Sequence, residues 1–475
     1  MEYVLSPAEL IPTGKGYFPL EKNNVYIQLL KLKQELEQTR NSMEPYFQKY
    51  GPLFRSVTSN FGPFKSTRFH ISKRYNTPSV SNVWIIMYEI ISHFNIIPEK
   101  THKKFIHFNS ENLPGSNILS IYHFINTMRD TNFKKKTLWL GSSPINLPLY
   151  KGDDIYKLIE NYSNQWVMSD NFLSTSKDNV RNFESSFKSA KDKYIPNGDI
   201  TDINYTKYVK TWLIEKLGTV KEIKNITNIN SNNIQESEPK INLFTGNIYL
   251  ETGKNYNNEE LIHNKIFLGQ IFLCFNILKQ GGNAILKNTT FFSLFNISLL
   301  AFISQHFKKC IVYKPMSSKK DSSEIFLICK DFNGTTKEEI NNIEKILMDP
   351  NFDYDYGQLL KVNKITQNFW LEIADIMDIF KRQIYNINKN IYNFNMILKK
   401  QSYYERHNNT NTDFDETKIL KDSQKKFFRE SGIENIKWGE LHPIKPLHKK
   451  DWINVHNTTK PRFRHLGNKS TSIVR

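Results

Sequence analysis

The apolar positions of the chain repeat with two different periods, which divide the sequence into four regions. In the first region, residues 1–75, apolar side chains at 25–48 recur at helical spacing opposite Lys, Arg and Glu. This pattern predicts one amphipathic helix and a helical N-terminal appendage. Residues 76–335 instead alternate amphipathic stretches with short apolar runs of strand length, namely TLWLG, INLFT, NAILK, CIVYK and EIFLIC.

Strands that alternate with helices predict an α/β domain with a parallel-based sheet over residues 76–335. A polar tract at about 219–240 is typical of a surface insertion in that domain. Residues 336–402 have helical periodicity and predict a helical C-terminal extension. Residues 403–475 form a polar region with one short helix and a basic tail.

The charge balance of the chain indicates what kind of partner it binds. Lys and Arg number 65 and Asp and Glu number 47, which gives a formal net charge of +18. Such an excess indicates a polyanionic partner, and nucleic acid is favoured over an anionic membrane surface. The alternative is a generally basic protein without such a partner. The abundance of Asn, Lys and Ile reflects an AT-rich genome and weakens arguments from composition.

Several protein classes are excluded by patterns that the sequence lacks. No run of 18 apolar residues is present, so no membrane span is expected, and the first residues do not resemble a secretory signal. Three scattered cysteines indicate a reducing compartment rather than a disulfide framework. The sequence contains neither HExxH nor a P-loop, so neither a bound catalytic metal nor ATP hydrolysis is expected.

The segment 281–330 is the most informative about chemistry. A glycine pair opens a strand that ends in Lys287, and a helix leads to a second strand that ends in Lys314. A Ser-rich loop then precedes a third strand, which starts at Glu324. Charged residues at such strand ends face the crevice where α/β proteins bind ligands. Taken alone, Lys287 and Glu324 are equally consistent with a catalytic pair and with two surface residues.

In this order the segment resembles the C-terminal half of FtsJ-type RNA ribose 2′-O-methyltransferases, most closely the divergent branch of large cytoplasmic DNA viruses. Further segments resemble the family in the correct order and extend the resemblance over about residues 76–332. They are SNVWIIMYEII for the helix before the first strand, ENLPGSNILSIYHFINTM for the first strand, turn and helix, NGDIT for a later cofactor loop, and INLFTGNIYLETG for the fourth strand.

The resemblance implies a Rossmann-like sheet that binds S-adenosylmethionine. A Pro-Gly turn between a strand and a helix also fits ligand binding physically, because the backbone can approach the ligand and the helix N-terminus faces it. The family would place the cofactor at residues in ENLPG and NGDIT, namely Asn109, Glu111, Pro114, Gly115 and Asp199. Asp199 is equally consistent with an ordinary turn.

The family's catalytic tetrad is Lys-Asp-Lys-Glu, and the match gives Lys287 and Glu324 to its last two positions. The first two positions fall on Ile86 and Asn247. A lysine accepts a proton from a ribose hydroxyl only when burial and a second cation favour its neutral form. Two substitutions in a unit of four therefore argue against catalysis. Candidates for the missing charges in neighbouring segments are Lys73, Arg74 and Lys254 for the cation and Asp170 for the acid, although Asp170 is out of chain order.

Two functions remain open at this point. The first is methylation of an RNA ribose 2′-oxygen, most plausibly at the mRNA cap, with S-adenosylmethionine as the donor. The second is a catalytically degenerate subunit that binds RNA or a protein of a viral transcription or capping apparatus. A weaker third option is a virion protein that packages nucleic acid. The viral resemblance implies the host cytoplasm or the virion as the location, and Ile86 and Asn247 are the residues that discriminate between the first two functions.

Overall fold

The structure is a computed structural model. It describes residues 1–12, 19–60, 67–77, 79–101, 103–110, 113–143, 155–167, 198–217, 241–247, 256–407 and 442–448. The insertion at 219–240, the short helix and basic tail expected in 403–475, and three candidate residues lie outside the described residues. Those candidates are Glu111, Asp170 and Lys254.

One eight-stranded sheet organises the described part of the chain, in the order β1-β7-β8-β6-β5-β2-β3-β4. β2 to β6 run parallel to one another, β8 is antiparallel between β6 and β7, and β1 adds an antiparallel edge. The strands are β1 (Glu2–Leu5), β2 (Phe105–Ser110), β3 (Thr137–Ser142), β4 (Trp166–Val167), β5 (Ile241–Gly246), β6 (Leu278–Asn288), β7 (Phe307–Tyr313) and β8 (Ile325–Phe332).

Helices lie on both faces of the sheet and in both extensions. They are α1 (Asn24–Asn41), α2 (Glu44–Asn60), α3 (Thr67–Arg74), α4 (Asn82–His93), α5 (Ser116–Met128), α6 (Thr131–Lys135), α7 (Leu158–Asn161), α8 (Ile203–Leu217), α9 (Glu259–Ile277), α10 (Leu294–His306), α11 (Lys337–Met348) and α12 (Gln367–His407). All five strands predicted from apolar runs are present, and the Rossmann-like α/β prediction is confirmed.

The helix predicted at 25–48 is wrong as a single element, because the structure divides it into α1 and α2. Pro45 explains the break: a proline in a helix interior lacks an N–H donor and its ring clashes with the carbonyl of residue 41. Pro45 instead lies in the first turn of α2, where the missing donor has no intrahelical acceptor to serve.

Alternation along the central strands divides the core into two layers. Leu243, Ile285 and Ile328 pack with α4 and α5 on one face. Their chain neighbours Phe244 and Leu286 pack on the other face with α9, α10 and α12. Because successive side chains of a strand point to opposite faces, strands buried on both sides are apolar throughout, as the sequence shows.

Both helical extensions pack into the second of these layers. Leu29 and Leu36 of α1 belong to the same apolar cluster as Ile376 and Phe380 of α12. The extension predicted at 336–402 also runs further than expected, since α12 ends at His407. The N-terminal appendage and the C-terminal extension therefore belong to the same hydrophobic core as one face of the sheet.

The direction in which the chain crosses the sheet reverses at β2 and β5. From β2 the chain proceeds outward to β3 and β4, and it then returns to β5 and β6 on the other side of β2. The two strands are parallel neighbours, and Asn247 N donates to Ser110 O at 3.3 Å just beyond their paired ends. In open α/β sheets this reversal creates a crevice at the carboxyl edge, where ligands bind.

Candidate functional site

Lys287 and Glu324 meet at the carboxyl end of β6. Lys287 is paired with Phe326 across the antiparallel β6–β8 ladder, and Glu324 directly precedes β8. Lys287 Nζ lies 3.2 Å from Glu324 Oε1, with about a fifth of each side chain exposed. The structure thus brings together the two charged residues that the strand order places at neighbouring strand ends.

The carboxylate of Glu324 is held in its ionised form. Burial alone would raise the pKa of Glu324, but the charges of Lys287 and Lys314 outweigh burial, so its pKa lies below the ordinary value. Ser318 Oγ adds a 2.7 Å hydrogen bond to Glu324 Oε2. Each carboxylate oxygen therefore has its own donor, which fixes the orientation of the carboxylate towards Lys287.

Lys314, directly after β7, also contacts Glu324, and the sequence analysis did not propose it as a site residue. Its ammonium is buried and donates to Ser322 O and Glu324 O at 2.8 Å each, with longer bonds to the hydroxyls of Ser318 and Ser322. Burial lowers the pKa of Lys314 to about 8. In the sequence, Lys314 is visible only as part of a Lys-Pro pair at the start of the Ser-rich loop. The atoms that its ammonium contacts depend on how this loop folds back, which the sequence does not show.

A cavity of about 340 Å³ opens beside the Lys287–Glu324 pair. Ile86 of α4 lies in its wall, so the residue that the sequence analysis expects at the first tetrad position lines the same cavity as Lys287 and Glu324. Asn247 follows Gly246, which is paired with Leu286, so Asn247 lies level with Lys287 on the adjacent strand. Among the described residues the cavity is lined by Asn82, Val83, Ile86, Glu259, His263, Lys287, Thr289, Ser317, Ser318, Lys319, Ser322, Ser323 and Glu324.

Neither of the two described cations considered as replacements for the missing lysine lines this cavity. Lys73 and Arg74 end α3, and neither is among the described residues that line it. Lys319 of the Ser-rich loop does line it, and so does His263, which sequence reasoning missed. Only the packing of α9 against the Ser-rich loop brings Lys319 and His263 to the same cavity.

A buried chain of polar side chains lies at the end of β2. Thr245 Oγ1 donates to Asn109 Oδ1 at 2.6 Å, so its oxygen accepts from His107 Nε2 at 2.8 Å. His107 is therefore the neutral tautomer with its proton on Nε2. Burial lowers the pKa of His107 to about 3, which keeps the ring uncharged at neutral pH.

The turn after β2 brings backbone close to the same edge. Gly115, directly after Pro114, has φ = +94° and is the N-cap of α5. A Cβ at this position would collide with Leu158 Cδ1, so both the backbone conformation and the available space require glycine. Ser81 Oγ donates to Ser116 Oγ at 2.8 Å and ties the start of α4 to the start of α5.

These residues fit an adenosyl-type cofactor at the switch point. Ser110 ends β2 with a fully buried hydroxyl that has no hydrogen-bond partner among the described residues. An unsatisfied buried hydroxyl of this kind is suited to a polar ligand atom, and the glycine turn lets a ligand approach the helix N-terminus. Asp199, the remaining described candidate, accepts two 2.8 Å bonds from Thr201, which form a local turn before α8.

A comparison with protein families now identifies the central region. The FtsJ-like methyltransferase family matches residues 179–332. This region is therefore similar to FtsJ-like methyltransferases. The match contains β5, β6, β7 and β8 with Lys287 and Glu324, and it confirms the resemblance seen in the sequence. Since the family consists of methyltransferases, it implies a methyl donor.

Curated relatives extend the similarity in both directions along the chain. An uncharacterised protein of Acanthamoeba polyphaga mimivirus is 25% identical over 366 residues, which cover 74% of this chain and 39% of that protein. A probable methyltransferase of African swine fever virus is 28% identical over 276 residues, which cover 58% and 54%. The cap-specific mRNA (nucleoside-2′-O-)-methyltransferase 2 of Drosophila melanogaster is 21% identical over 306 residues, which cover 63% and 37%. The chain thus spans about two fifths to one half of the length of these relatives.

The described residues contain neither a membrane-spanning helix nor a cluster of metal ligands. None of the described helices is long and apolar enough to cross a membrane. Within the same residues, no group of three or more His, Cys, Asp and Glu side chains is placed to hold a metal ion.

Proposed function

We propose that the protein is an S-adenosylmethionine-dependent methyltransferase that acts on the ribose 2′-oxygen of RNA, with capped mRNA as its substrate. The observation that carries the proposal is the Lys287–Glu324 pair in a cavity at the carboxyl edge of the sheet. The relative from Drosophila melanogaster, named as a cap-specific 2′-O-methyltransferase, supports this substrate. The formal net charge of +18 is complementary to RNA.

The cofactor would bind at the carboxyl ends of β2 and β5, where the chain reverses its direction across the sheet. Ser110 Oγ and the Pro114–Gly115 turn would hold its polar atoms, and Asn109 would stay fixed by Thr245. When bound, S-adenosylmethionine supplies an electrophilic methyl group. The amino end of α5 would face this ligand and contribute backbone N–H donors.

Lys287 would act on the ribose hydroxyl. Its ammonium can donate a hydrogen bond to the 2′-oxygen and stabilise the negative charge that develops there as the hydroxyl proton passes to solvent water and the methyl group is transferred. Glu324 and Ser318 fix the direction of Lys287 Nζ, so little reorganisation is needed in the transition state.

A second candidate function is binding of capped RNA without methyl transfer. The observation that favours it is Ile86 in the cavity wall at the position where the family has a lysine, together with the neutral amide of Asn247. In this case the sheet and its extensions would serve as a platform in a viral transcription or capping apparatus. The cavity would then hold the ribose without activating its hydroxyl.

Transfer of labelled methyl groups to capped RNA separates the two functions. We expect wild-type protein to transfer methyl groups, and Lys287→Ala, which removes a donor that stabilises charge, to reduce the rate by about 10²–10³-fold. Lys309→Ala, which removes an exposed lysine of β7, is the matched control and keeps the wild-type rate. If wild-type protein binds S-adenosylmethionine and capped RNA by calorimetry but transfers no label, the platform function replaces the enzymatic one.

A further inference from the structure

A buried glutamate on α4 holds the loop that carries the candidate site. Glu89 lies one turn after Ile86, with none of its surface exposed to solvent. Its Oε1 accepts from Tyr313 OH at 2.5 Å and from Met316 N at 2.6 Å. Its Oε2 accepts from Ser317 N at 3.0 Å and from Ser317 Oγ at 2.5 Å.

The number of donors explains why this residue is a carboxylate. Transfer of an ionised carboxylate into the protein interior is costly unless hydrogen bonds replace its water. Four donors on two oxygens supply that replacement, and three of the four come from consecutive residues of the Ser-rich loop. An amide could accept only through its single oxygen, and its NH₂ group would oppose donors.

A series of contacts links Glu89 to the Lys287–Glu324 pair. Ser318 follows Ser317, and its hydroxyl donates to Glu324 Oε2 at 2.7 Å. Glu324 Oε1 in turn contacts Lys287 Nζ at 3.2 Å. The helix that carries Glu89 also places Ile86 in the cavity wall, so one side chain sets the separation between the helix wall and the loop wall of the cavity.

The far end of the same loop is held by the two helical extensions. Arg40 Nη2 of α1 donates to Ser323 Oγ at 2.5 Å. From α12, Asn390 Nδ2 donates to Asp321 Oδ2 at 2.9 Å. Within the described residues, Glu89 is thus the carboxylate that holds the near end, where Ser317 and Ser318 line the cavity.

We propose that Glu89 is a positioning residue for this site: through Met316 and Ser317 it fixes Ser318 and thereby the direction of Glu324 and Lys287. The inference rests on the proposed methyltransferase function and adds to it a residue outside the family tetrad. A misplacement of about 1 Å at a reacting group can reduce a rate by about 100-fold. Loss of the hydrogen bonds between Glu89 and the loop should therefore affect turnover more than ligand binding.

The test compares Glu89→Gln, Glu89→Asp and Ser317→Ala with wild type. Methyl transfer to capped RNA gives kcat and the KM for S-adenosylmethionine, and hydrogen exchange reports on the amides of Met316 and Ser317. We expect Glu89→Gln to lower kcat about 100-fold at unchanged KM and to speed exchange at both amides. Glu89→Asp keeps the charge and all four acceptor sites on a shorter stem, so its kcat lies between those of wild type and Glu89→Gln.

Ser317→Ala and one control variant keep the test decisive. Ser317→Ala removes one donor from the loop side and should lower kcat in the same direction even if Glu89→Gln does not fold. Glu339→Gln is the matched control, because Glu339 also accepts several hydrogen bonds, in the capping box of α11. It should lower the melting temperature while kcat and the exchange of Met316 and Ser317 stay at wild-type values.

The two proposals fail in different ways. Wild-type kcat in both Glu89→Gln and Ser317→Ala would overturn the positioning role and leave the methyltransferase function intact. Absence of methyl transfer by wild-type protein would overturn the methyltransferase function. In that case hydrogen exchange still tests whether Glu89 holds the loop. Unchanged exchange at Met316 and Ser317 in Glu89→Gln would show that it does not.

Discussion

Lys314 donates a 2.8 Å hydrogen bond to the main-chain carbonyl of Glu324, while Lys287 contacts the side chain of the same residue at 3.2 Å. Glu324 is therefore held at its backbone by one cation and at its carboxylate by another. Because Lys314 is buried and Lys287 faces the cavity, the first stabilises the loop and the second is available to a substrate.

Replacement of Lys314 should destabilise the protein. Lys314→Gln removes the charge, and its shorter side chain leaves the partly buried carbonyls of Ser322 and Glu324 without their donor. We expect the free energy of unfolding to fall by about 1–3 kcal/mol, the usual cost of an unsatisfied buried group. Urea unfolding at neutral pH measures this. The exposed Lys309→Gln serves as control and should stay within about 0.5 kcal/mol of wild type.

Restoration of the family tetrad should separate a degenerate site from an active one. Ile86→Lys alone adds a second ammonium to a cavity that Lys287 already lines, and Asn247→Asp supplies an opposite charge directly after β5. The double variant should therefore unfold at higher temperature than Ile86→Lys, because a paired buried charge costs less than an unpaired one. Labelled methyl transfer should also rise in the double variant. A double variant with lower activity than wild type would show that the native Ile86 and Asn247 suit this site.

Acid should weaken the fold through His107. Its folded pKa is about 3 against an ordinary value of 6.5, so the unfolded state binds a proton that the folded state does not. The stability from the neutral ring is complete above pH 6.5 and is lost as pH falls towards 3, by about 1.4 kcal/mol per pH unit for this group. Urea midpoints at pH 7 and pH 5 measure the effect. His107→Gln should show a smaller difference between the two midpoints, and an equal difference would assign the acid sensitivity elsewhere.

Gly115→Ala should impair the cofactor site. The added methyl group would collide with Leu158 Cδ1, and φ = +94° disfavours any L side chain. Strained left-handed backbone costs about 1–3 kcal/mol, so the turn should shift and the melting temperature should fall. Calorimetric titration should show weaker S-adenosylmethionine binding than in wild type. Gly281→Ala is a control with positive φ but open space around the Cβ, and it should lose stability while its binding stays at the wild-type level.

The basic tail should contribute to RNA affinity through its charge. A truncation after His448 retains Leu447, whose backbone pairs with Tyr75 and whose side chain is buried. It removes most of the tail's cations, among them Lys449, Lys450, Lys460, Arg462, Arg464 and Lys469. The slope of log affinity against log salt should become shallower by about 0.7–0.9 for each phosphate that the tail neutralises in the full-length protein. Equal slopes for the two proteins would mean that the tail neutralises no phosphates.

The α/β architecture and the central pair of residues follow from the pattern of the chain alone. Five apolar runs of strand length predict five strands that the structure contains, because a strand buried on both faces must be apolar throughout and is bounded by turn residues. Lys287 and Glu324 could be paired because the strand–helix–strand–loop–strand order brings the end of β6 to the start of β8. Such features depend on local pattern and on topology rules that few arrangements satisfy.

The polar residues that build the site around that pair are set instead by tertiary packing. Glu89 stands in an apolar helical stretch, and nothing nearby in the chain indicates that its partner Ser317 lies 228 residues away. Lys314 was visible as part of a Lys-Pro pair, but its donors are used by a loop that folds back over it. The two-residue β4 is too short to have a pattern, and β1 exists through its pairing with β7. These contacts join segments that are distant in sequence, so the period of side chains along the chain does not encode them.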